Sequence, residues 1–345
     1  MRTLLEQTFD ERKQFALTEV QHIAEWSDIH STDDFEMEEN KDGLTNIIYR
    51  LSKKSNPDDY PILFRIYGAG SGEYLNRKKE VSFFSVLSEN HFGIKLLRSF
   101  PEGRMELWRV GFVSLNDIGC RDPLISRRIA AKVADLHNIR TELAHFDDFS
   151  TVLRAWVNVC RNHYNSHQFA SLDLDAMLNE INHNESLIRN ESSDIVYGHQ
   201  DLLRGNVLRN ASGEILLVDF EYTCLLAAPL DICHHYCEWM TRYDSQSYWI
   251  DVSLHPSHEE EVNFVAAYLE RRHGEMPKET EVEAMIQKVH RMQCFSFFFW
   301  FVWAIMQMEL GADWDCKGYA LSRWNLYKEQ KKKYYGVESL PILCD

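Results

Sequence analysis

Val196-Tyr197-Gly198-His199-Gln200-Asp201-Leu202-Leu203-Arg204-Gly205-Asn206-Val207 lies just past the middle of the chain. An apolar run ends at Gly198, a His-x-Asp triplet follows, and Asn206 stands five positions after Asp201. Thirteen residues further, the apolar run Ile215-Leu216-Leu217-Val218 delivers Asp219-Phe220-Glu221. Asn210-Ala211-Ser212-Gly213 supplies a turn, so the segment reads as short strands at Ile195–Tyr197, Val207–Arg209 and Glu214–Asp219. Phosphoryl transfer calls for such a layout. One carboxylate must orient and deprotonate an acceptor hydroxyl, while an amide oxygen and a second carboxylate hold magnesium on nucleotide phosphates. Asp201 is the candidate base, and Asn206 and Asp219 are candidate metal ligands, with Glu221 for a second ion or its waters. His199 reads as a hydrogen-bonding support of the loop, and Asp231 as a brace of the same region. A lone His-x-Asp is commonly structural. Five elements in this order are specific.

Upstream, residues 3–26 read as a helix from the spacing of Leu5, Phe9, Ala16, Val20 and Ile23, and the acidic stretch 28–42 as a solvated loop. Strands are expected at Thr45–Leu51 and Ile62–Tyr67. A helix follows at Arg77–Glu89, turning Val81, Phe84, Val86 and Leu87 to a core, and then a hairpin, Ile94–Phe100 with Arg104–Trp108. Downstream the pattern is mostly helical: Ile129, Val133 and Leu136 share a face, as do Leu153, Val157 and Cys160. The four lysines of Lys328–Lys333 read as a solvated helix end. The expected fold class is α+β and bilobal, with a strand-rich lobe over 1–110 and a larger helical lobe over 111–345.

The chain has 345 residues, 45% of them hydrophobic, which excludes a disordered or fibrous protein. Thirty-seven basic against fifty-three acidic side chains give a net charge of −16, which disfavours nucleic-acid and anionic-membrane partners and suits a cationic small substrate. The richest apolar run, Phe295 to Met306, is interrupted by Ser296 and falls short of the roughly 20 residues a bilayer needs. The first residues lack the apolar segment of a secretory signal. Eight scattered cysteines fit a reducing compartment, so a cytoplasmic location is expected.

The spacing of His199, Asp201, Asn206 and Asp219 matches the catalytic set of protein kinases. Over about Gly43 to Tyr335 the sequence resembles the choline/ethanolamine kinase family, a small-molecule branch of the protein-kinase-like fold. The resemblance is carried by Gly198–Asn206, Val218–Tyr222 and Pro229–Trp239, by the aromatic run Ser296–Trp303, and by Gly318–Trp324. In the first lobe, Asp42-Gly43-Leu44-Thr45-Asn46 resembles the family's phosphate loop and Leu63–Gly68 its basic strand. It implies ATP and Mg²⁺ as cofactors, with Gly43, Thr45 and Asn46 at the phosphates. Arg65 is the expected cation, Glu80 its positioning partner, and the backbone near Met105, Glu106, Leu107 and Trp108 the adenine site between the lobes. It also implies a small-molecule acceptor, choline or ethanolamine.

A quaternary ammonium has no N–H to donate and is recognised by aromatic faces and diffuse negative charge. Tyr243, Trp300, Trp303, Trp314 and Tyr319 are the candidate cage, with Glu238 its anionic complement. Taken alone, Phe295–Trp303 reads as a buried core helix; with the resemblance, Trp300 and Trp303 are expected to serve core and pocket together. The aromatic positions favour choline, whereas Leu203 in place of the glutamine common in choline kinases favours ethanolamine. Gln200 also departs from the family's usual asparagine. Family members are often dimers, so a homodimer is an expectation by resemblance alone. Three other readings fit the residues less well. A metal hydrolase would use His199, Asp201, Asp219, His234 and His235, with Cys233 and Cys237, but a Cys pair at i, i+4 on an apolar helix is usually core. A non-catalytic ammonium-binding module needs no magnesium ligands, and an aminoglycoside-type kinase does not explain the late tryptophans.

Overall fold

Phe35-Glu36-Met37-Glu38 alternates apolar and acidic side chains, the period of a half-buried strand. In the computed structural model it forms one: β1 (Phe35–Asn40) buries Phe35 and Met37 and exposes Glu36 and Glu38. The expected solvated loop over 28–42 is corrected for this portion, because the two apolar residues give the strand a core face. The structure describes residues 2–40, 46–141, 143, 146–163, 171–243 and 248–344, without the side chains of Asp117, Ile118, Ser171, Tyr243, Tyr248 and Cys344. The chain divides into two compact units, Met1–Val113 and Ser114–Asp345.

In the first unit, β1 lies at the edge of an antiparallel sheet ordered β1-β2-β3-β5-β4, with β2 (Asn46–Lys53), β3 (Ile62–Tyr67), β4 (Leu96–Phe100) and β5 (Gly103–Leu107). The register sets Arg65 opposite Arg104. Gly103 permits the close approach of β5 to β3, since a Cβ there would lie 2.1 Å from the Arg65 carbonyl oxygen. The helix expected over 3–26 is shorter. Thr8 caps α1 (Phe9–Val20) through a capping box with Glu11, and the chain turns at Ile23 into a 3₁₀ turn that buries Trp26. Phe9, expected inside, is exposed at the helix start, while Trp26 donates to the Tyr60 carbonyl at 2.8 Å and packs on Phe35. α2 (Arg77–Glu89) has the expected bounds but buries Glu80, Phe83, Phe84 and Leu87, leaving Val81 and Val86 half-buried.

The second unit begins beside β6 (Val113–Ser114) with α3 (Asp117–Arg121), α4 (Pro123–His137), α5 (Phe149–His163), β7 (Ser171–Leu172) and α6 (Leu174–Glu191). Ile129, Val133 and Leu136 of α4 and Leu153, Val157 and Cys160 of α5 are buried as their spacing implies. β8 (Ile195–Gly198) pairs with β11 (Cys224–Ala227), and β9 (Val207–Arg209) with β10 (Ile215–Leu217). β10 stops before the expected Asp219 because that residue takes φ +66°, which leaves the strand conformation. α7 (Ala228–Met240) follows β11 with Pro229 in its first turn, and then β12 (Thr241–Tyr243), β13 (Tyr248–Ile250) and α8 (His258–His273). α9 (Glu279–Glu309) packs against α5, α7, α8 and α10 (Cys316–Tyr335), with β14 (Leu343–Cys344) returning to β7.

Phe295–Met306 is buried at every position but Trp303, which is only half-buried, so the helix is apolar all round because it is the unit's central helix. Burying each large side chain contributes about 1.5–3 kcal/mol. Among the described residues, no helix is long and apolar enough to cross a membrane. The lysine run is corrected at one position, Lys328, Lys332 and Lys333 being exposed as expected. Lys331 is fully buried and pairs with buried Glu180 at 2.7 Å, beside the Tyr327 hydroxyl, because α10 lays this face on α6.

Candidate active site

β8 ends at Gly198 and hands the chain to a loop whose conformation is held from behind. Asp231, wholly buried on α7, accepts the backbone N–H of His199 and of Gln200, each at 2.8 Å, and the Nε2–H of His137 at 2.9 Å. Gln200 takes φ +66°, a left-handed conformation that costs a residue with a Cβ about 1–2 kcal/mol and that asparagine tolerates better. The two backbone bonds to Asp231 offset that cost. Burial alone would raise Asp231, but His137 and the other donors outweigh it and hold the carboxyl at about 2.

His199 points its Nε2–H at the Val218 carbonyl, 2.9 Å away, and its Nδ1 accepts the Asp201 N–H at 3.3 Å. Both ring nitrogens are thus engaged in joining the Asp201 loop to the segment that delivers Asp219, and burial pushes the imidazole pKa down. This neutral ring supports the loop. Asn206 donates its amide to both the backbone oxygen and Oδ2 of Asp201, at 2.9 and 2.8 Å. Both partners are acceptors, so the amide orientation is fixed and Oδ1 is the atom left to face a cation. The Val218 N–H to Asn206 carbonyl bond, 3.0 Å, completes the cross-link.

Asp201 is half-buried, and its carboxyl lies well above the ordinary aspartate range. Burial is the largest cause, followed by the charges of Glu238, Asp219 and Glu221; the Asn206 bond only partly opposes them. Four carboxyl groups therefore share one neighbourhood, a field that favours positive charge. The donors on offer, carboxylate oxygens and an amide oxygen, are those a hard cation such as Mg²⁺ takes. On chemistry, Asn206, Asp219 and Glu221 fit that ion.

Four of the aromatic candidates, Trp300, Trp303, Trp314 and Tyr319, form one connected group. Trp303 lies 5.2 Å from Trp300, 5.6 Å from Trp314 and 6.2 Å from Tyr319, and Trp314 meets Tyr319 edge-on at 5.5 Å. Trp303 donates its indole N–H to the Tyr222 hydroxyl at 3.0 Å. Trp300 is buried behind this layer, its N–H bonded to His234, whose Nδ1–H in turn faces Ser296 Oγ at 2.8 Å. The group borders the acids: Tyr319 is pushed up chiefly by burial, with Glu238 and Asp201 adding to it. Glu238 is buried with Arg323 at 3.8 Å, and the Arg323 guanidinium covers a face of Tyr319 at 4.6 Å. Glu238 also lines a cavity of about 220 Å³ with Arg121, Arg204, His235 and Trp239, a space the cage tryptophans do not reach. Cys233 and Cys237 are buried thiols, with Cys237 pushed up to about 12 by burial, in keeping with core packing.

In the first unit, Arg65 is buried with Nε 3.7 Å from Glu106. Glu80 is bonded by Arg104 and by Arg77, the latter at 2.7 Å. Burial opposes its ionisation, yet Arg104, Arg77 and Arg65 together hold it at about 2. Arg65 thus acts on Glu80, but within a cluster of three arginines rather than as its single partner. The N–H groups of Leu107 and Trp108 are bonded to the carbonyls of Lys95 and Pro61, each at 2.9 Å, and the Glu106 carboxylate accepts from Arg104 at 2.6 Å. Asn46 opens β2 and is buried, its Oδ1 accepting from Arg77 at 3.3 Å. Gly43, Thr45 and the Tyr243 side chain lie outside the described residues.

The family profile of choline/ethanolamine kinases matches residues 37–328. The chain belongs to the choline/ethanolamine kinase family. It is 28% identical to a probable choline kinase of Arabidopsis thaliana over 92% of this chain and 93% of that one, and 29% identical to a human choline/ethanolamine kinase over 86% and 80%. A choline kinase of Cryptosporidium parvum superposes with a TM-score of 0.78 at 22% identity, covering 95% of this chain and 97% of that one. The fold is the protein-kinase-like one, with a strand-rich N-terminal region and a mostly helical C-terminal part. Spacing along the chain did not single out Arg104, Arg77, Tyr222, His137 or Arg323. Tyr222 and Arg323 do lie inside the stretches that carry the family resemblance.

Proposed function

We propose that the chain transfers the γ-phosphoryl group of ATP to the hydroxyl of choline or ethanolamine, giving phosphocholine or phosphoethanolamine. The observation that carries this reading is the group Asp201, Asp219, Glu221 and Glu238, crowded enough to raise Asp201, next to an aromatic cluster of Trp303, Trp314 and Tyr319. Excess negative charge beside aromatic faces matches a substrate that is an alcohol at one end and an ammonium at the other. Mg²⁺-bound ATP supplies the transferable phosphoryl group and screens its charge.

The chain's own residues have separable tasks. Asp201 orients the acceptor hydroxyl and takes its proton; its raised pKa makes it a stronger proton acceptor than an exposed aspartate. Asn206 positions Asp201 through its amide hydrogens and offers Oδ1 to the ion, with Asp219 and Glu221 the remaining oxygen donors. His199 and Asp231 position the loop. Trp303, Trp314 and the Tyr319 face not covered by Arg323 receive the ammonium, with Tyr243 as a further wall, and Trp300 holds Trp303 from behind. In the first unit, Arg65 is assigned to phosphate charge, kept extended by Glu106 and the Glu80 cluster, and Gly43, Thr45 and Asn46 to the phosphate loop.

Choline is the preferred acceptor because the aromatic surface suits a group without N–H donors. Leu203 favours ethanolamine as a second substrate. The product is a phospholipid head-group precursor, and the buried free cysteines support a cytoplasmic setting. An ADP-release assay comparing choline, ethanolamine and an aminoglycoside tests the reading. Turnover with either ammonium alcohol is expected, falling about 10²–10⁴-fold in Asp201→Asn. Preference for the aminoglycoside, or parent-like turnover in the folded variant, would overturn it. Removing Asp201's costly charge should also raise the melting temperature of the cation-free protein, read by calorimetry; an unchanged or lower value would mean the crowding is relieved in some other way.

A further inference from the structure

Away from the phosphoryl-transfer residues, three side chains with no part in that chemistry meet in the C-terminal unit. His255 lies in the connection before α8, Glu261 in the first turn of α8, and His290 on α9. One donor atom from each lies within 4.8 Å of the other two. Glu261 is only 2% exposed, and the two imidazoles are half-buried over it. His290 Nε2 stands 2.6 Å from Glu261 Oε1, and the two imidazole rings are 5.5 Å apart and nearly perpendicular.

His255 Nδ1 faces the Pro256 carbonyl at 2.9 Å. A carbonyl only accepts, so this nitrogen carries the proton and the lone pair resides on Nε2. Ligating histidines are commonly held this way, one nitrogen donating to a carbonyl and the other kept basic. His290 meets one oxygen of the Glu261 carboxylate, and His255 brings a second imidazole nitrogen to the same buried group. The Tyr236 hydroxyl, wholly buried and without a hydrogen-bond partner among the described residues, belongs to the same corner, its ring 6.4 Å from that of His255.

We propose that His255, Glu261 and His290 form a binding site for a divalent transition metal, zinc above all, separate from the oxygen donors at Asn206 and Asp219. Two imidazole nitrogens with one carboxylate are a borderline donor set, suited to zinc and poorly suited to magnesium. Three protein ligands leave a coordination position for water. Located here, the ion ties the 251–257 connection to α8 and α9. Leu254, next to His255, lines the cavity shared with Glu238, so the ion stiffens a wall close to the acceptor residues.

The test uses the full chain, stripped by chelator and titrated with zinc against a chromogenic competitor in excess Mg²⁺, which keeps the oxygen donors occupied. One zinc per chain is expected, and cobalt in its place should give the visible absorption of a nitrogen- and oxygen-ligated four-coordinate site. His255→Ala leaves the Glu261–His290 pair intact and the fold undisturbed, and should weaken zinc about 10–100-fold and abolish any zinc-induced rise in melting temperature. His290→Gln should do the same. Absence of stoichiometric zinc in the parent, or parent-like zinc affinity in His255→Ala, overturns the proposal. Neither result bears on kinase turnover in Mg²⁺, so this site and the phosphoryl-transfer reading fail separately.

Discussion

Asp201 and Asp231 are aspartates from one small region whose surroundings drive them in opposite directions. Burial penalises the charge on both. Asp231 meets three hydrogen-bond donors and stays ionised down to about 2, whereas Asp201 meets other carboxylates and is raised. One holds a loop, and the other suits the proton exchange proposed for it. Asp231→Asn preserves the volume but places an NH₂ where an acceptor is needed. We expect kcat to fall at least about tenfold with KM for the acceptor little changed, and stability to drop by about 1–3 kcal/mol in urea unfolding. An unchanged kcat would show that the loop holds its shape without this brace. The proximity of Asp201 to Asn206 and Asp219 was legible in the sequence, because the loop and hairpin that carry them are close along the chain. Arg104 at Glu80 was not, because it reaches α2 from β5, a separate element.

At the scale of elements, α7 is buried along its whole length from Ala228 to Met240 and carries two uncharged histidines in its middle. Burial is the main cause holding His234 at about 3 and His235 at about 4. Unfolded histidine protonates near about 6.5, so below that pH the unfolded chain binds more protons than the folded one. Stability must therefore fall as pH drops from about 6.5 toward about 4 and then about 3. Asp201 has the opposite sign, its carboxyl being protonated more readily in the folded state, so the slope is best measured in Asp201→Asn. We expect melting temperature to decline steadily from pH 7 to pH 4.5, about two pH units below the unfolded histidine value, and less steeply in His235→Gln. A flat profile would mean the imidazoles are not neutral inside α7. β3 and α2 were readable with their bounds, since apolar period and capping residues act locally. The 3–26 segment was not, because Ile23 and Trp26 turn aside to pack on the sheet.

Over the whole molecule, side chains far apart in sequence close the C-terminal unit on itself. Glu180 on α6 accepts from Lys331 at 2.7 Å and from the Leu340 N–H at 3.3 Å, with Tyr327 bonding the same carboxylate, which binds α6, α10 and the final segment together. Both charges are fully buried. Lys331→Met should cost about 3–5 kcal/mol, since it strands a carboxylate without its cation. Adding Glu180→Gln should recover part of that loss in denaturant unfolding followed by tryptophan fluorescence. A single variant as stable as the parent would show that the pair is not desolvated.

From its sequence alone, this chain could be read as a member of its kinase family, with the order of its candidate catalytic residues and most of its strands and helices. Hydrophobic period, capping and short-range spacing act between neighbours along the backbone, and neighbours are what a sequence displays. Tertiary structure decided which cation meets which anion across elements: Arg104 at Glu80, Arg323 beside Glu238, and Lys331 turned inward to Glu180. Those choices follow from distances across packed elements and from the cost of leaving a buried charge unpaired, and neither quantity is defined until the helices and strands have docked.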